Sequence, residues 1–284
     1  MTDFDVSAYL ENRRGAINAA LDAALVQTDD DPGRLREAMR YAVLDGGKRM
    51  RPLLVVAACE AVGGTLDAAL PAACAIEMIH AYSLVHDDLP AMDDDAERRG
   101  KPTVHIAFGD ANAILVGDAL LTHAFHTLAA GASAAPGGRL LGAVVKMAHH
   151  AGVDGMVGGQ ALDLEAGQEI GDLAVLERVH ALKTGGLYAA SGAMGALSGG
   201  ADDDVSARLE AFGLAFGIAF QHADDVLDDD QKGLRAQALA RVDELTASCL
   251  DNVASLGEAA EPLRGIARWV AHRAHAAHRG EIKD

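Results

Sequence analysis

The sequence has few aromatic residues and few basic side chains. Aromatic residues make up 4% of the 284 residues, whereas 50% are hydrophobic, with Ala, Leu and Gly prominent. This composition favours closely packed helices over sheets. Only 24 Lys and Arg stand against 42 Asp and Glu, so the formal net charge is −18. The acidic balance argues against broad attraction to nucleic acid or to an anionic membrane surface.

Cysteines and long apolar runs are also scarce. Cys59, Cys74 and Cys249 lie far apart and form neither a metal-ligand spacing nor an even-numbered framework. We therefore expect reduced core thiols in a cytoplasmic protein. The N-terminal segment is acidic and mixed in charge, which does not fit a signal peptide. No run reaches ~18 uninterrupted apolar residues, so the sequence predicts no membrane span.

Apolar residues recur instead with the period of a helix. Gly- or Pro-containing joints separate the periodic segments, and few stretches alternate with period two. No internal repeat or long linker stands out. We therefore predict one all-α domain over residues 1–284. The segments predicted to be helical are 9–25, 33–44, 51–62, 68–89, 111–131, 139–152, 173–197 and 201–229.

An aspartate cluster follows the apolar segment 68–89. Pro90 disrupts the helix near Leu89, so the later aspartates are expected on a turn beyond the helix end. Two unit charges ~4 Å apart repel by roughly 4 kcal/mol at an effective dielectric of 20, and the negative end of the helix dipole adds to this cost. A positive charge must compensate. The cluster contains Asp87, Asp88, Asp93, Asp94 and Asp95.

A second aspartate cluster lies in "FQHADDVLDDD". Asp224 and Asp228 are four residues apart, so on a helix they share a face, and Asp225 lies beside them. Oxygen ligands without His or Cys partners suit Mg²⁺. A single Asp run is usually a solvated face, which is our interpretation of 202–204 at a helix start. Two clusters that each end an apolar helix favour a magnesium site.

Basic residues lie close to the first cluster in the sequence. "LDGGKRMRP" places Lys48, Arg49 and Arg51 beside a Gly-Gly turn whose open backbone lets an anion approach. "ERRGKP" supplies further cations, namely Arg98, Arg99 and Lys101. Each group alone is also compatible with a solvated basic turn. Together, acids that gather magnesium and bases that bind anions indicate a diphosphate ligand.

These motifs resemble, in order and over nearly the whole chain, those of trans-isoprenyl diphosphate synthases, most closely the bacterial farnesyl diphosphate synthases. The matching stretches are "GGKRMRP", "EMIHAYSLVHDDLPAMDDDAERRGKPTVH", "GDALL", "GMVGGQALDL", "LKTGGL" and "FQHADDVLD". The resemblance implies an all-helical bundle of the isoprenoid synthase type around a deep central cavity, and a homodimer. It implies a Mg²⁺-dependent prenyltransferase that condenses isopentenyl diphosphate with dimethylallyl and geranyl diphosphates.

The resemblance also implies a role for each matching residue. Three Mg²⁺ and the allylic diphosphate would be held by Asp87, Asp88, Asp93, Asp224, Asp225 and Asp228. Arg98 and Lys183 would contact the same diphosphate, and Thr184, Gln160 and Gln221 would lie close to the reacting carbons. Isopentenyl diphosphate would be bound by Gly47, Lys48, Arg51, His80 and Arg99. The catalytic set would comprise Asp87, Asp88, Asp93, Lys183, Thr184, Gln221, Asp224 and Asp225.

Product length is expected to depend on the residues one helical turn below Asp87. Tyr82 and Ser83 precede it by five and four positions, and a Tyr ring there would block a growing chain. In the family an aromatic residue at this place accompanies a C15 product. We therefore expect farnesyl diphosphate, with geranyl and geranylgeranyl diphosphates as alternative products.

The resemblance breaks after Asp228. The family continues there with a Gly/Lys-rich loop that closes the site, whereas this chain runs through "DDQKG" directly into a further helical pattern. Lys232 is a candidate replacement for one lost cation. Two alternatives to the synthase therefore stay open, a non-catalytic or impaired partner subunit and a class I terpene cyclase. The cyclase would not need the basic set that binds isopentenyl diphosphate.

Overall fold

The computed structural model describes residues 4–44, 46–131, 137–167, 170–228 and 231–282, and most of them are helical. The strands within these ranges are two residues long. They are β1 (Glu97–Arg98) and β2 (Lys101–Pro102), which pair antiparallel directly after the first aspartate cluster. The all-α prediction is thus confirmed.

Most helices pack around a large apolar core that includes Leu10 near the start of the chain and Ala277 near its end, and a smaller cluster holds Leu176 and Val179. Short 3₁₀ segments at Pro32–Arg34, Lys232–Leu234 and Ala254–Ala260 join some of them. In chain order the helices are α1 (Val6–Ala24), α2 (Leu35–Leu44), α3 (Met50–Ala61), α4 (Leu66–Asp87), α5 (Val104–Phe108), α6 (Asp110–Gly131), α7 (Gly137–Ala151), α8 (Met156–Ala166), α9 (Leu173–Val179), α10 (Gly186–Ser198), α11 (Asp203–Leu227), α12 (Arg235–Asn252) and α13 (Glu261–His278).

Small residues let the central helices approach backbone to backbone. Every residue of α10 from Gly186 to Leu197 is buried. A Cβ atom at Gly195 would lie 2.3 Å from the Val55 carbonyl oxygen of α3, and one at Gly192 would lie 2.0 Å from the Leu209 carbonyl oxygen of α11. Both distances are below van der Waals contact, so only glycine fits. Ala and Gly therefore let the helices pack closely around the few buried aromatic side chains, which include Tyr188, Phe212 and Phe216.

The segment predicted as one helix over 173–197 is broken in the structure. α9 ends at Val179, a π-helical turn covers His180–Gly185, and α10 follows. α8 is not among the predicted helical segments, because Gly158 and Gly159 interrupt its apolar period. The structural reason is a close contact, because a Cβ atom at Gly159 would lie 2.2 Å from the Lys183 backbone nitrogen. Glycine is thus required where α8 crosses the π-helical turn.

The prediction for the end of α4 is confirmed. The helix ends at Asp87, and the chain then forms tight turns in which the Asp93 N–H donates to the Asp87 carbonyl at 2.8 Å. Asp94 takes a left-handed conformation with φ of 53°. The expected helix start is also present, since Asp202 caps α11 by accepting from the Val205 N–H at 2.9 Å.

Two helices meet the length and composition of a membrane-crossing helix. They are α4 and α6, whose most apolar windows are 67% and 33% buried within the protein. A core helix meets the same criteria, and α4 is such a helix, so this is weak evidence for a span. The prediction of no membrane span stays a prediction.

The three cysteines are buried free thiols, as expected for core residues. Burial raises the pKa of Cys59 to about 11 and that of Cys74 to about 12, so both remain protonated at neutral pH.

Candidate active site

A cavity of about 1180 Å³ opens between α3, α4, α8, α10 and α11. It brings residues from both aspartate clusters and from both basic segments onto one surface. The predicted site residues that line it are Gly47, Lys48, Arg51, His80, Tyr82, Ser83, Asp87, Arg98, Arg99, Gln160, Lys183, Thr184, Gln221 and Asp224. Four predicted residues are absent from its lining, namely Asp88, Asp93, Asp225 and Asp228.

Asp87 is the carboxylate of the first cluster that reaches the cavity. Burial raises its pKa to about 6, Lys183 lowers it, and the neighbouring charges of Asp93 and Asp88 raise it further. The ionised carboxylate is therefore destabilised by its surroundings. A bound cation beside Asp87 would relieve that electrostatic cost.

Asp88 points away from the cavity and forms a buried ion pair. Only 3% of the residue is exposed. Arg98 in β1 donates to Asp88 Oδ1 from Nε at 2.8 Å and approaches the same oxygen with Nη2 at 2.6 Å. Asp95 lies 3.5 Å from Nη2, and Asp93 is exposed. The β1–β2 hairpin thus places a cation between the first cluster and the cavity.

The opposite wall is a chain of hydrogen bonds that begins in the π-helical turn. Lys183 Nζ donates to Asp163 Oδ2 of α8 at 2.6 Å. Thr184 Oγ1 donates to Gln221 Oε1 at 3.0 Å, and Gln221 Nε2 donates to Asp225 Oδ1 at 3.1 Å. The wider π-helical turn aims Lys183 and Thr184 toward α8 and α11 together. Asp225 is held by this chain and is buried.

Gln160 in the cavity wall has an amide group without a hydrogen-bond partner in the described part of the chain. Both its nitrogen and its oxygen are buried. Such a group costs about 1–3 kcal/mol when it stays unsatisfied. A polar ligand in the cavity would satisfy it.

The Gly-Gly turn lies at the basic end of the cavity. Gly46 and Gly47 have φ of 94° and 110°, a region open to glycine. Arg99 Nη1 donates to the Gly46 carbonyl at 3.1 Å, and a Cβ atom at Gly47 would lie 2.9 Å from the same nitrogen. The turn therefore needs glycine both for its backbone and for the space that Arg99 occupies.

His80 and Arg51 extend this basic end. Burial lowers the pKa of His80 well below its usual value, and the positive charges of Arg51 and Arg99 lower it further. His80 is thus neutral at pH 7 and can donate or accept a hydrogen bond without adding charge. The Arg51 guanidinium lies over the Tyr188 ring at 4.7 Å, which fixes its direction.

Arg49 has a structural role, although it belongs to the same basic segment. It is 4% exposed and pairs with Glu77 at 2.5 Å between Nη1 and Oε1. Its Nη2 also donates to the Val43 carbonyl at 2.6 Å. These contacts satisfy the guanidinium within the fold, so its charge helps to hold the Gly-Gly turn against α4.

Tyr82 and Ser83 lie one turn below Asp87 on the wall that α4 provides. Tyr82 is 7% exposed, and its ring packs edge-on against His86 with centroids 5.9 Å apart. His86 Nε2 lies 3.1 Å from the Ile114 carbonyl of α6. Ser83 Oγ donates to the His80 carbonyl at 2.9 Å. The ring of Tyr82 therefore forms part of the cavity wall next to His86.

Two residues near the predicted groups were missed from the sequence. Asp163, which pairs with Lys183, stands three positions after Gln160 in a motif that was recognised, so its helical spacing was an available signal. Arg273 on α13 brings Nη1 to 3.8 Å from Asp224 Oδ1. Arg273 and Asp224 are far apart along the chain, so no local sequence pattern connects them.

The donor set at the cavity fits magnesium. Asp87 and Asp224 present carboxylate oxygens to one cavity, and hard oxygen ligands are those that Mg²⁺ prefers. The side chain of Lys232 lies outside the described residues. Asp228 is exposed at the C-cap of α11, where its N–H donates to the Asp224 carbonyl at 2.9 Å.

Comparison with known sequences matches most of the chain to one protein family. The sequence profile of the family described as polyprenyl synthetase matches residues 32–234. The large subunit 1 of a heterodimeric chloroplastic geranylgeranyl pyrophosphate synthase of Arabidopsis thaliana is 46% identical over 232 residues. A dimethylallyltranstransferase of Fischerella ambigua is 46% identical over 227 residues. These alignments cover 80% and 79% of this chain, but they span only 62% and 65% of the two relatives.

Solved structures share the fold. An FPP/GFPP synthase from Zymomonas mobilis superposes with a TM-score of 0.85 at 40% identity, covering 94% of this chain and 98% of that one. A geranyltransferase from Legionella pneumophila gives 0.86 at 30% identity, covering 96% and 98%. The predicted isoprenoid synthase fold is therefore confirmed. On its fold, its paired aspartate clusters and these similarities, this chain belongs to the polyprenyl synthetase family.

Proposed function

We propose that this protein is a Mg²⁺-dependent prenyltransferase that condenses isopentenyl diphosphate with dimethylallyl and geranyl diphosphates. One observation carries the proposal. Asp87 on α4 and Asp224 on α11 line the same cavity, together with Lys183, Arg51 and the Gly-Gly turn. Its volume of about 1180 Å³ exceeds the ~300–1,000 Å³ of ordinary ligand pockets, which suits two substrates bound together.

The two ends of the cavity would bind the two diphosphates. Asp87 and Asp224 would hold magnesium, which supplies positive charge that stabilises a diphosphate as it leaves. Lys183, and Arg98 once it turns from Asp88, would bind the oxygens of the allylic diphosphate. Lys48, Arg51, Arg99 and neutral His80 would bind isopentenyl diphosphate at the Gly-Gly turn.

The reaction breaks the allylic C–O bond, and the departing diphosphate keeps the electron pair. The double bond of isopentenyl diphosphate then forms the new C–C bond, and a proton passes to the departing diphosphate. Thr184 and Gln221, which are already hydrogen-bonded to each other, face the space between the two ends. The apolar lining, including Leu84, Met92 and Phe220, would exclude water from the allylic cation.

Farnesyl diphosphate is the product that we propose. Tyr82 lines the cavity one helical turn before Asp87, which supports a C15 limit. A second candidate product is geranylgeranyl diphosphate, because several relatives at 44–46% identity carry that name. The chain length of the product distinguishes the two.

The proposal is tested by incubating the purified protein with isopentenyl diphosphate and each of the dimethylallyl, geranyl and farnesyl diphosphates, with and without Mg²⁺. Mass spectrometry should detect C15 diphosphate only when Mg²⁺ is present.

Asp224→Asn should lower kcat/KM by ~100-fold or more because it removes charge that the reaction needs. Asp94→Asn, at an exposed turn position, is the matched control and should keep full activity. Absence of elongation at every Mg²⁺ concentration would favour the non-catalytic subunit instead.

We also propose that the chain forms a homodimer through α6. This helix is nearly as apolar as α4, yet only 33% of its most apolar window is buried within the chain. Leu115 is 52% exposed and, unlike the neighbouring Ile114, does not line the cavity. A second copy placed against this helix would remove the Leu115 side chain from water.

A further inference from the structure

Three metal-ligating side chains meet behind the cavity wall. His180 comes from the π-helical turn, whereas His222 and Asp225 come from α11. They are 5%, 0% and 9% exposed, respectively. One ligand atom from each lies within 4.8 Å of those of the other two. The two imidazole rings pack edge-on with centroids 4.8 Å apart.

This cluster contains polar atoms with no hydrogen-bond partner in the described part of the chain. They are Nδ1 of His180, Nδ1 of His222 and Oδ2 of Asp225. His180 Nε2 approaches Asp225 Oδ2 to 3.3 Å, but the geometry is not that of a hydrogen bond. Buried polar atoms of folded proteins are nearly always satisfied. Nδ1 of His222 and Oδ2 of Asp225 would both be satisfied by an ion that is also bound to His180 Nε2, so the cluster lacks a ligand.

The outer contacts of His222 prepare it to bind a metal. Its Nε2 lies 3.2 Å from Glu177 Oε1, and Arg241 Nε donates to the same oxygen at 2.6 Å. The Glu177 carboxylate accepts a hydrogen bond from the Nε2–H of His222, which leaves the Nδ1 lone pair free. A carboxylate behind a histidine is the usual outer contact of a metal ligand.

We propose that His180, His222 and Asp225 form a buried site for a divalent transition-metal ion of the Zn²⁺ type. Two imidazoles and one carboxylate make a common three-ligand set for zinc, with a fourth position left for water. Zinc–ligand bonds of about 2.0–2.1 Å place tetrahedral ligand atoms roughly 3.3 Å apart. His180 Nε2 and Asp225 Oδ2 are separated by this distance, and the three ligand atoms all lie within 4.8 Å of one another, so an ion would draw the set together.

The site differs in chemistry from the magnesium site and does not depend on the proposed function. Mg²⁺ prefers oxygen ligands in octahedral geometry, whereas imidazole suits Zn²⁺ and its neighbours. Asp225 connects the two regions, because its other oxygen accepts from Gln221, which in turn accepts from Thr184. An ion on Oδ2 would therefore fix the carboxylate and the hydrogen-bond chain that forms the cavity wall.

The test uses metal-free full-length protein titrated with Co²⁺ and then with Zn²⁺, without substrates. Wild-type protein should give the intense visible absorption of four-coordinate Co²⁺, and Zn²⁺ should abolish it. His222→Asn and His180→Asn should each weaken this binding by at least ~10-fold. His275→Asn is the matched control, because His275 lies at the surface beside Asp243. That variant should keep the absorption band.

Crystals of the wild-type protein soaked in Zn²⁺ provide a second measurement that needs no variant. Anomalous density should lie between the two histidines and Asp225. Density confined to surface histidines, or a Co²⁺ band unchanged in both His180→Asn and His222→Asn, would overturn the proposal. Because no substrate is present, either result leaves the proposed prenyl transfer untouched.

Discussion

At the scale of single residues, the candidate site depends on charges that the fold places in unfavourable surroundings. Asp87 is half-buried beside other carboxylates, and its pKa is raised to about 6. Asp88, one residue further, is buried but paired with Arg98. The negative charge of Asp87 is thus unfavourable in its surroundings, whereas that of Asp88 is stabilised by the Arg98 guanidinium.

The raised pKa of Asp87 predicts a pH dependence of stability in the metal-free protein. The folded protein holds the carboxyl proton of Asp87 more tightly than the unfolded chain does. The contribution of Asp87 to the free energy of unfolding should therefore fall as pH rises from about 4 to about 6, by up to about 3 kcal/mol. Urea unfolding of wild type and Asp87→Asn across this range measures it. The two proteins should agree below pH 4 and diverge above pH 6, with the variant more stable.

Asp94→Asn is the control for this comparison, because Asp94 is exposed and Asn tolerates its left-handed backbone. It should show no comparable divergence from wild type. A parallel pH dependence of wild type and Asp87→Asn would contradict the prediction.

Tyr82→Ala should lengthen the product. Removing the ring would open the space toward His86 and Ile114, so that a C15 chain could be extended to C20 or beyond. Chromatography with mass spectrometry of the products measures this change. Tyr41→Ala, which removes a ring away from the cavity lining, is the control and should leave product length as in wild type. An unchanged distribution in Tyr82→Ala would show that another residue sets the limit.

Glu77→Gln should destabilise the protein by about 3–5 kcal/mol, because it leaves the buried Arg49 charge without its carboxylate. The midpoint of urea unfolding at pH 7 measures the loss. Glu37→Gln breaks an exposed pair with Arg34 and should cost far less, because solvent screens that pair. Equal costs for the two variants would rule out the structural role assigned to Arg49.

At the scale of elements, the site depends on how α8 crosses the π-helical turn between α9 and α10. This one turn carries three side chains of the site region, those of His180, Lys183 and Thr184. Lys183 and Thr184 face the cavity, and His180 faces Asp225 behind it. A regular α-helix over these residues would rotate the side chains differently. Gly159 permits the close crossing that fixes the turn.

Gly159→Ala should therefore separate α8 from the turn. The added Cβ atom would lie 2.2 Å from the Lys183 backbone nitrogen. This clash can be relieved only if α8 or the π-helical turn shifts as a whole. We expect a loss of about 1–3 kcal/mol in the free energy of unfolding, as for other overpacked core sites. We also expect weaker binding of the allylic substrate.

Gly15→Ala is the matched control, since Gly15 lies in α1 with no atom within 4 Å of its added Cβ atom. This change should raise stability by roughly 0.5–1 kcal/mol through helix propensity. Thermal unfolding of the two variants measures both effects. A Gly159→Ala protein as stable as wild type would show that the crossing can relax.

At the scale of the whole molecule, the architecture brings two distant acidic segments to one cavity. The first ends α4 and the second ends α11, more than a hundred residues later along the chain. Central helices rich in Ala and Gly pack closely around the space between them. The apolar face of α6 remains on the outside, where we place the proposed dimer contact.

Leu115→Asp should convert the proposed homodimer into monomers, because a two-fold contact would bury the new charge twice. Sedimentation velocity across a range of protein concentrations measures the change. Val26→Asp introduces the same charge at an exposed apolar position outside α6 and should leave the association state unchanged. A monomeric wild-type protein would contradict the dimer itself.

Much of the fold and many candidate site residues could be predicted from the sequence. Helical period and Pro90 determined the long helices and the end of α4, since these depend on local spacing and backbone chemistry. The ordered motifs determined the family. Gly-rich α8 and the π-helical turn could not be predicted in this way, because each is stabilised by the other across the fold.

The sequence by itself determined that the protein is helical, acidic and equipped with two aspartate clusters next to cations. Only the tertiary structure decided which charges face the cavity. It turned Asp87 and Asp224 inward, paired Asp88 with Arg98 and Arg49 with Glu77, and placed Asp225 against His180. The physical reason is that the energy of a charge depends on its burial and its partners, and both are fixed by residues distant in the chain.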